Sequence, residues 1–293
     1  MKQSDCTFIE ANQLRFAADC VGEGERVALF LHGFPESRRC WRQQLPLVAG
    51  LGWRAVAVDM RGYGQSSRPK GRAAYRMGRL VEDVAALFHA LGARERLLVG
   101  HDWGGMVAWS AAIRRACPLD GLVIINAPHP LVFRDVMRSS WRQRLRSWYI
   151  AFFALPWLPE KYLTAGHARA VAAALERTAS RADVFPPDIL AHYRDNAARP
   201  GAMTAMLDYY RANPDLRRLG AGAGVDVPTL LLWGDRDSAL GTELVAGTAE
   251  HVPDLSIEIL HGVSHWVPEE APDRVNAALA EWLGRLRAAP SNS

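Results

Sequence analysis

The segment Leu97-Leu98-Val99-Gly100-His101-Asp102-Trp103-Gly104-Gly105 constrains this chain more than any other. An apolar run fit for a buried strand passes without a loop into a helical stretch through Gly-x-Asp-x-Gly. So sharp a turn leaves no room for side chains packed against strand and helix, which is why glycines bracket the aspartate. The neighbouring sequence supplies the rest of such a layered architecture. Val27 to Leu31, Arg54 to Asp59, Arg96 to Gly100 and Leu122 to Asn126 read as buried strands. Between them Cys40 to Ala49, Met77 to Leu91 and Gly104 to Arg115 read as helices. Strand and helix in this rhythm imply a mostly parallel sheet with helices on both faces.

The rhythm stops after the fourth of those strands. From His129 to Ala223 there is no strand pattern, only aromatic-rich helical segments interrupted by Pro156, Pro159, Pro186, Pro187, Pro200 and Pro214. It resumes with a strand at Thr229 to Trp233, a helix near Thr242 to His251 and a strand at Leu255 to Leu260. A final helix is expected over Asp273 to Leu286. The expected organisation is an α/β core over residues 1–128 and 224–293, with a helical cap, residues 129–223, inserted at the end of the sheet where ligands bind.

Composition narrows the function classes. Hydrophobic residues at 49% and charged residues at 23% allow 293 residues to bury a core, and exclude disorder. The apolar runs are too short to cross a bilayer, and Met1 to Glu10 lacks a signal-peptide pattern, so a cytoplasmic protein is expected. Cys6, Cys20, Cys40 and Cys117 have neither metal-ligand spacing nor close pairing, and are expected to pack in the core. The pI near 9.0 reflects a net charge of only +4, and lysine occurs only at Lys2, Lys70 and Lys161. Arg134, Arg138, Arg142 and Arg146, four apart, read as one solvated helix face. Without stacking aromatics or a fold signature, that row does not make a nucleic-acid site. No phosphate-cradling glycine loop with lysine and no Cys/His cluster occurs, so no cofactor and no metal is expected. Ala288 to Ser293 form a polar tail.

Two further motifs belong with the Asp102 turn. Leu31-His32-Gly33-Phe34-Pro35 follows the Val27 strand, where the Phe34 backbone N–H and that of Trp103 would converge on one oxygen as an oxyanion hole. Trp233-Gly234-Asp235-Arg236-Asp237 and Gly262-Val263-Ser264-His265-Trp266 follow later strands, giving the order nucleophile, acid, histidine. At a helix N-terminus the dipole favours an ionised Asp102 carboxylate. Asp237 is taken as the acid and Asp235 as the residue that shapes the turn. The His101 side chain should point away from Asp102, since neighbours at a strand end alternate.

Together, His32-Gly33-Phe34-Pro35-Glu36-Ser37, Arg61-Gly62-Tyr63-Gly64-Gln65-Ser66-Ser67 and Gly100-His101-Asp102-Trp103-Gly104-Gly105 resemble the α/β-hydrolase-fold epoxide hydrolases over essentially the whole chain. The resemblance implies Asp102 as nucleophile, Asp237 as charge-relay acid and His265 as base. It also implies two cap tyrosines that hydrogen-bond the epoxide oxygen. Ser147-Trp148-Tyr149-Ile150-Ala151-Phe152-Phe153 matches the first at Tyr149, and Met206-Leu207-Asp208-Tyr209-Tyr210-Arg211 the second at Tyr210, with Tyr209 the alternative.

The residue types suit that chemistry. An aspartate attacks saturated carbon without first losing a proton, leaving an alkyl ester that a histidine-activated water hydrolyses. Opening the ring produces an alkoxide, and general-acid help from two phenols is worth ~10²–10⁴ in rate. Trp141, Trp148, Phe152, Phe153 and Trp157 suggest an apolar cavity, with His32, Pro35, Trp148, Phe152 and Trp266 as substrate-binding residues. The expected partners are a small epoxide and water, with no nucleic acid and no membrane insertion, for a monomer or homodimer. Two other readings compete. Haloalkane dehalogenases resemble the chain in Trp103 but usually pair it with a second halide donor where this chain has Phe34. Fluoroacetate dehalogenases follow the nucleophile with Arg rather than Trp. A catalytically silent receptor on a hydrolase core would not require Asp102, His265 and Asp237 all to be competent residue types.

Overall fold

The computed structural model describes residues 7–214 and 224–288. Cys6, residues 215–223 of the expected cap and residues 289–293 of the polar tail lie outside the described residues.

Two strands that the apolar pattern does not announce come first, β1 (Thr7–Ala11) and β2 (Leu14–Val21). They form a hairpin about Asn12 and Gln13, both at positive φ (48° and 60°) without a glycine. β3 (Arg26–Leu31), β4 (Arg54–Val58), β5 (Glu95–His101), β6 (Gly121–Ile125), β7 (Thr229–Gly234) and β8 (Leu255–Leu260) complete one eight-stranded sheet. Its order is β1-β2-β4-β3-β5-β6-β7-β8. β2 pairs antiparallel with β1 and β4, and the remaining pairs are parallel. Strands buried on both faces read as unbroken apolar runs, which is why β3 to β7 stood out in the sequence. Leu31 lies opposite both Val58 and Gly100, so β3 and β5 end side by side. The strand order reverses around β3, which makes these ends the switch point where such sheets take ligands.

Helices cover both faces. α1 (Gln44–Gly50) lies on one face, its Leu45 and Val48 packing with Phe30, Val123 and Leu232. α2 (Met77–Ala90) and α3 (Trp103–Ile113) lie on the other, against Leu29, Leu98 and Ile124. Every residue of α3 is buried, so it has no polar face. The helix expected over Cys40 to Ala49 is divided: a 3-10 turn spans Arg38–Trp41, and α1 begins at Gln44. Pro46 is compatible only with the first turn of a helix, which fixes that start. The helix expected at Thr242 to His251 is two 3-10 turns, Thr242–Leu244 and Thr248–Glu250, separated by Gly247 at φ 83°.

Between β6 and β7 the chain forms a helical cap: α4 (Pro130–Ser139), α5 (Trp141–Arg146), α6 (Trp148–Ala154), α7 (Leu158–Thr178), α8 (Pro187–Ala198) and α9 (Ala202–Ala212). α7 bends where Gly166, His167 and Ala168 take left-handed dihedrals. The four arginines read as one helix face are split between two helices. Ser140 leaves the α4 path and caps α5 by accepting the Gln143 N–H at 3.2 Å, so Arg134 and Arg138 part from Arg142 and Arg146. The chain returns through α10 (Val267–Glu270) to α11 (Pro272–Ala288), whose Leu279 and Trp282 join the α1 side. Among the described residues no helix is long and apolar enough to cross a membrane.

Candidate active site

Asp102 sits between β5 and α3 at φ 49° and ψ −119°, a conformation that side chains avoid unless the surroundings impose it. Here they do. A side chain at Gly104 would collide with the Leu31 carbonyl, and one at Gly33 would overlap Asp102 itself. The loop after β3 can therefore press against the aspartate, and the Phe34 N–H donates to Asp102 Oδ1 at 2.8 Å. Trp103 opens α3, so its N–H has no acceptor within the helix.

The other oxygen, Asp102 Oδ2, stands 3.7 Å from His265 Nε2. The far nitrogen, His265 Nδ1, lies 2.6 Å from Asp237 Oδ2. A carboxylate only accepts, so that nitrogen carries the proton and Nε2 faces Asp102. Asp237 is fully enclosed: Asn126 Nδ2 donates to Oδ2 at 2.7 Å, and the Ala239 and Leu240 amides donate to Oδ1 at 2.8 and 2.9 Å. Asn126, at φ 40° after β6, also accepts the Gly234 N–H at 2.9 Å. Sequence reasoning gave Asn126 no role beyond ending a strand; a polar residue closing an apolar run was its only signal.

Asp235 faces the surface, where it receives His261 Nδ1 and the Gly262 N–H, both at 2.8 Å, and shapes the turn. His101 points away from Asp102. Its Nδ1 meets Glu36 Oε2 at 2.8 Å and its Nε2 meets the His265 carbonyl at 2.9 Å, all three buried. Two glutamates after His265 seat the cap: Glu269 accepts the Tyr193 hydroxyl of α8 at 2.7 Å, and Glu270 binds Ser180, beyond α7, together with Ser264.

Burial alone would lower the His265 pKa. The Asp237 charge and hydrogen bond, with the Asp102 and Glu36 charges, outweigh it and bring it to about 9. Burial would raise Asp237, but His265 and Asn126 hold it below the usual carboxylate range. Tyr149 and Tyr210 are pushed well above the ordinary phenol value, first by burial and then by the Asp102 charge. Both therefore remain O–H donors.

Asp102, Tyr149 and Tyr210 line two cavities that meet at the carboxylate, one of about 330 Å³ and one of about 430 Å³. The two tyrosine rings stand nearly perpendicular, 6.2 Å apart. Tyr209 faces the other way: fully buried, it donates to the Arg61 carbonyl at 2.9 Å. Pro35, Trp148, Phe152 and Trp266 line the larger cavity. His32 does not line either one. It is completely buried, with Nδ1 2.9 Å from the Gly33 carbonyl and Nε2 accepting the Met60 N–H at 3.1 Å, tying two strand ends together. Trp141 and Trp157, at 60% and 69% exposure, lie on the outer surface of the cap. Cys40 is buried in the core and Cys117 is half-buried.

The strand-to-helix turn at Asp102, the mostly parallel sheet and the inserted cap define an α/β hydrolase, and a family profile described as alpha/beta hydrolase fold matches residues 27–272. Human epoxide hydrolase 4 is 33% identical over 288 residues, covering 94% of this chain and 77% of its own. Epoxide hydrolase A of Mycobacterium tuberculosis is 30% identical over 313 residues, covering 95% and 97%. A crystal structure of Bacillus megaterium epoxide hydrolase with an inhibitor superposes with a TM-score of 0.88 at 28% identity, covering 95% of this chain and 100% of that one. The chain belongs to the α/β-hydrolase-fold epoxide hydrolases.

Proposed function

We propose that the enzyme opens an epoxide to a vicinal diol through a covalent ester on Asp102. The observation that carries this reading is the division of labour between the two Asp102 oxygens. Oδ1 is held by the Phe34 amide, while Oδ2 faces His265 at the meeting point of the cavities, beside Tyr149 and Tyr210.

Oδ2 attacks a ring carbon, the carbon–oxygen bond breaks, and the departing oxygen takes a proton from Tyr149 or Tyr210. Esterification cancels the Asp102 charge, one of the charges that raise the His265 pKa. Loss of that charge lowers the His265 pKa, and the proton passes through solvent to the tyrosinate, the stronger base. His265 Nε2, now neutral, accepts a proton from water as the water oxygen bonds to Asp102 Cγ. The oxyanion forms on Oδ1, already at the Phe34 N–H and next to the first turn of α3, where the Trp103 N–H serves as second donor. Collapse breaks the Cγ–Oδ2 bond, His265 passes the water proton to the leaving oxygen, the diol departs, and the carboxylic acid left on Asp102 ionises, its proton returning to His265. One water is consumed.

Pro35, Trp148, Phe152 and Trp266 are assigned to substrate binding and Asp237 to orienting His265. The cap boundaries at 129 and 223 and a cytoplasmic location are readings that rest on sequence pattern.

The test is intact-protein mass after mixing His265→Gln with styrene oxide, with 1-chlorobutane and chloroacetate in parallel. An epoxide-sized adduct that disappears when Asp102→Ala is added supports nucleophile and reaction class together. An adduct from a haloalkyl compound alone would replace the reading with dehalogenation.

A further inference from the structure

Seven of the nine large hydrophobic side chains exposed among the described residues fall within residues 141–162 of the cap, including Trp141, Leu145, Trp148, Leu155, Trp157 and Tyr162. Single apolar residues at a surface are ordinary, whereas a concentration of this kind marks a contact face. Trp141, Leu145, Trp148 and Leu155 follow one another at spacings of four, three and seven residues, which keep to one side of a helical path through α5 and α6. The polar side of that path is turned inward. Gln143 is fully buried, donating to the Ala239 carbonyl at 2.7 Å and accepting the Gly241 N–H at 3.0 Å, and the buried Ser147 hydroxyl accepts its amide at 3.0 Å. These bonds tie α5 to the loop after β7, so the helix cannot roll its indole and leucine inward without breaking them.

The same stretch is basic. Arg142, Arg144, Arg146 and Lys161 are all exposed, and its one acid, Glu160, is held by Arg211 of α9 at 2.5 Å. Arg146 reaches Glu243 at 3.4 Å, but among the described residues Arg142, Arg144 and Lys161 form no ion pair. The Arg142 guanidinium lies 5.7 Å from the centre of the Trp141 ring. Aromatic rings edged by free cations suit an anionic bilayer, where indoles settle at the headgroup level and guanidiniums meet lipid phosphates. A second copy of the chain suits the face poorly. Two-fold pairing would set it against itself, three free cations facing three, with no free acid to answer them.

We infer that residues 141–162 form a docking face for anionic membrane surfaces. The cap lies along the headgroups, with Trp141, Leu145 and Trp157 in the interface and Arg142, Arg144 and Lys161 on lipid phosphates. Docking of this kind needs no helix to cross the bilayer. Trp148 and Tyr162 are exposed and also line the larger cavity, so the face extends to the cavity's rim. Where the chain sits is independent of the reaction assigned to Asp102.

The experiment is cosedimentation of the full chain with vesicles of phosphatidylcholine alone, and of phosphatidylcholine and phosphatidylglycerol in equal parts, at low and high salt. Each free cation near an anionic surface strengthens partitioning about fivefold, so three should favour the anionic vesicles by about 10²-fold. Added salt should erode that preference. Arg142→Gln/Arg144→Gln should weaken binding to the anionic vesicles about thirtyfold. Trp141→Gln/Leu145→Gln should weaken it at least about tenfold while the net charge is unchanged. Arg94→Gln/Arg115→Gln removes as many charges from exposed ion pairs at the opposite end of the sheet, and should bind as the unmodified chain does. Absence of binding to the anionic vesicles overturns the inference. So does a loss in the Arg94/Arg115 variant equal to that in the Arg142/Arg144 variant, which would mean adsorption by net charge. Sedimentation equilibrium without lipid tests the other occupant. A dimer that Trp141→Gln/Leu145→Gln dissociates, with no vesicle binding, would make the face a contact between copies and overturn the membrane assignment.

Discussion

Asn126 and His265 share one oxygen: Asp237 Oδ2 takes the Asn126 amide at 2.7 Å and the imidazole at 2.6 Å. The end of β6 thereby helps fix the same carboxylate oxygen that meets His265. Asn126→Ala would leave the Gly234 N–H without its acceptor and remove one of Asp237's donors, both in a buried place. We expect a stability loss of about 1–3 kcal/mol by urea denaturation and a fall in kcat of about tenfold, with KM little changed. Unaltered kcat would mean that the Ala239 and Leu240 amides suffice to hold Asp237.

The adjacent tyrosines should separate cleanly. Tyr210→Phe and Tyr149→Phe each remove a hydroxyl from the meeting point of the cavities and should lower the rate of ester formation by ~10²–10⁴ in single-turnover experiments. Tyr209→Phe removes the bond to the Arg61 carbonyl, and should cost about 1 kcal/mol of stability while ester formation continues. The reverse pattern would exchange the roles of Tyr209 and Tyr210.

Gly33→Ala should fold and yet be inactive. The added methyl would occupy the space of the Asp102 carboxylate, displacing it from the Phe34 amide. Its far-ultraviolet circular dichroism should match the parent, while turnover falls by at least about 10²-fold, the scale of losing one oxyanion-hole donor. Near-normal turnover would show that the loop after β3 can retreat.

Stability should fall on the alkaline side of neutrality. The His265 pKa is raised from 6.5 to about 9, so the fold favours its charged form. The stabilisation is complete below the unfolded value and lost as pH climbs through the folded one. Glu269 has the same sign: burial, against the pull of Arg42 and Tyr193, raises it from 4.5 to about 7, and its contribution is spent above that. The melting temperature should therefore decline from about pH 4.5 to 7 through Glu269 and from about pH 6.5 to 9 through His265, and the part above pH 7 should flatten in His265→Gln. An equally steep decline in that variant would assign the loss to other groups.

What was legible in the sequence follows from what burial does to a pattern. β3, β5, β6 and β7 are covered on both faces, so their apolar runs are unbroken, and the Asp102 turn is marked by glycines that nothing else could replace. β1 is largely exposed, Phe8 included, β2 has only a three-residue buried run, and the two join through Asn12-Gln13 rather than a glycine turn. None of these traits separates them from a loop. Tyr209 and Tyr210 are neighbours on a helix, about 100° apart around its axis, and only the packing of α9 decides which one faces the cavities. The sequence reading counts His32, in the motif Leu31-His32-Gly33-Phe34-Pro35, among the substrate-binding residues. Its hydrogen bond to the Met60 N–H, from the next strand end, is a long-range fact that no local pattern carries. The arginine row had the spacing of one helix, but a single serine cap divides it.

The way the cap is seated has a mechanical corollary. His265, Glu269 and Glu270 lie within the six residues 265–270, and the two glutamates grip the cap at Tyr193 and Ser180. The base and both fastenings ride on one short piece of backbone. A displacement of the cap at Tyr193 or Ser180 would therefore be felt by the same peptide that carries the His265 imidazole.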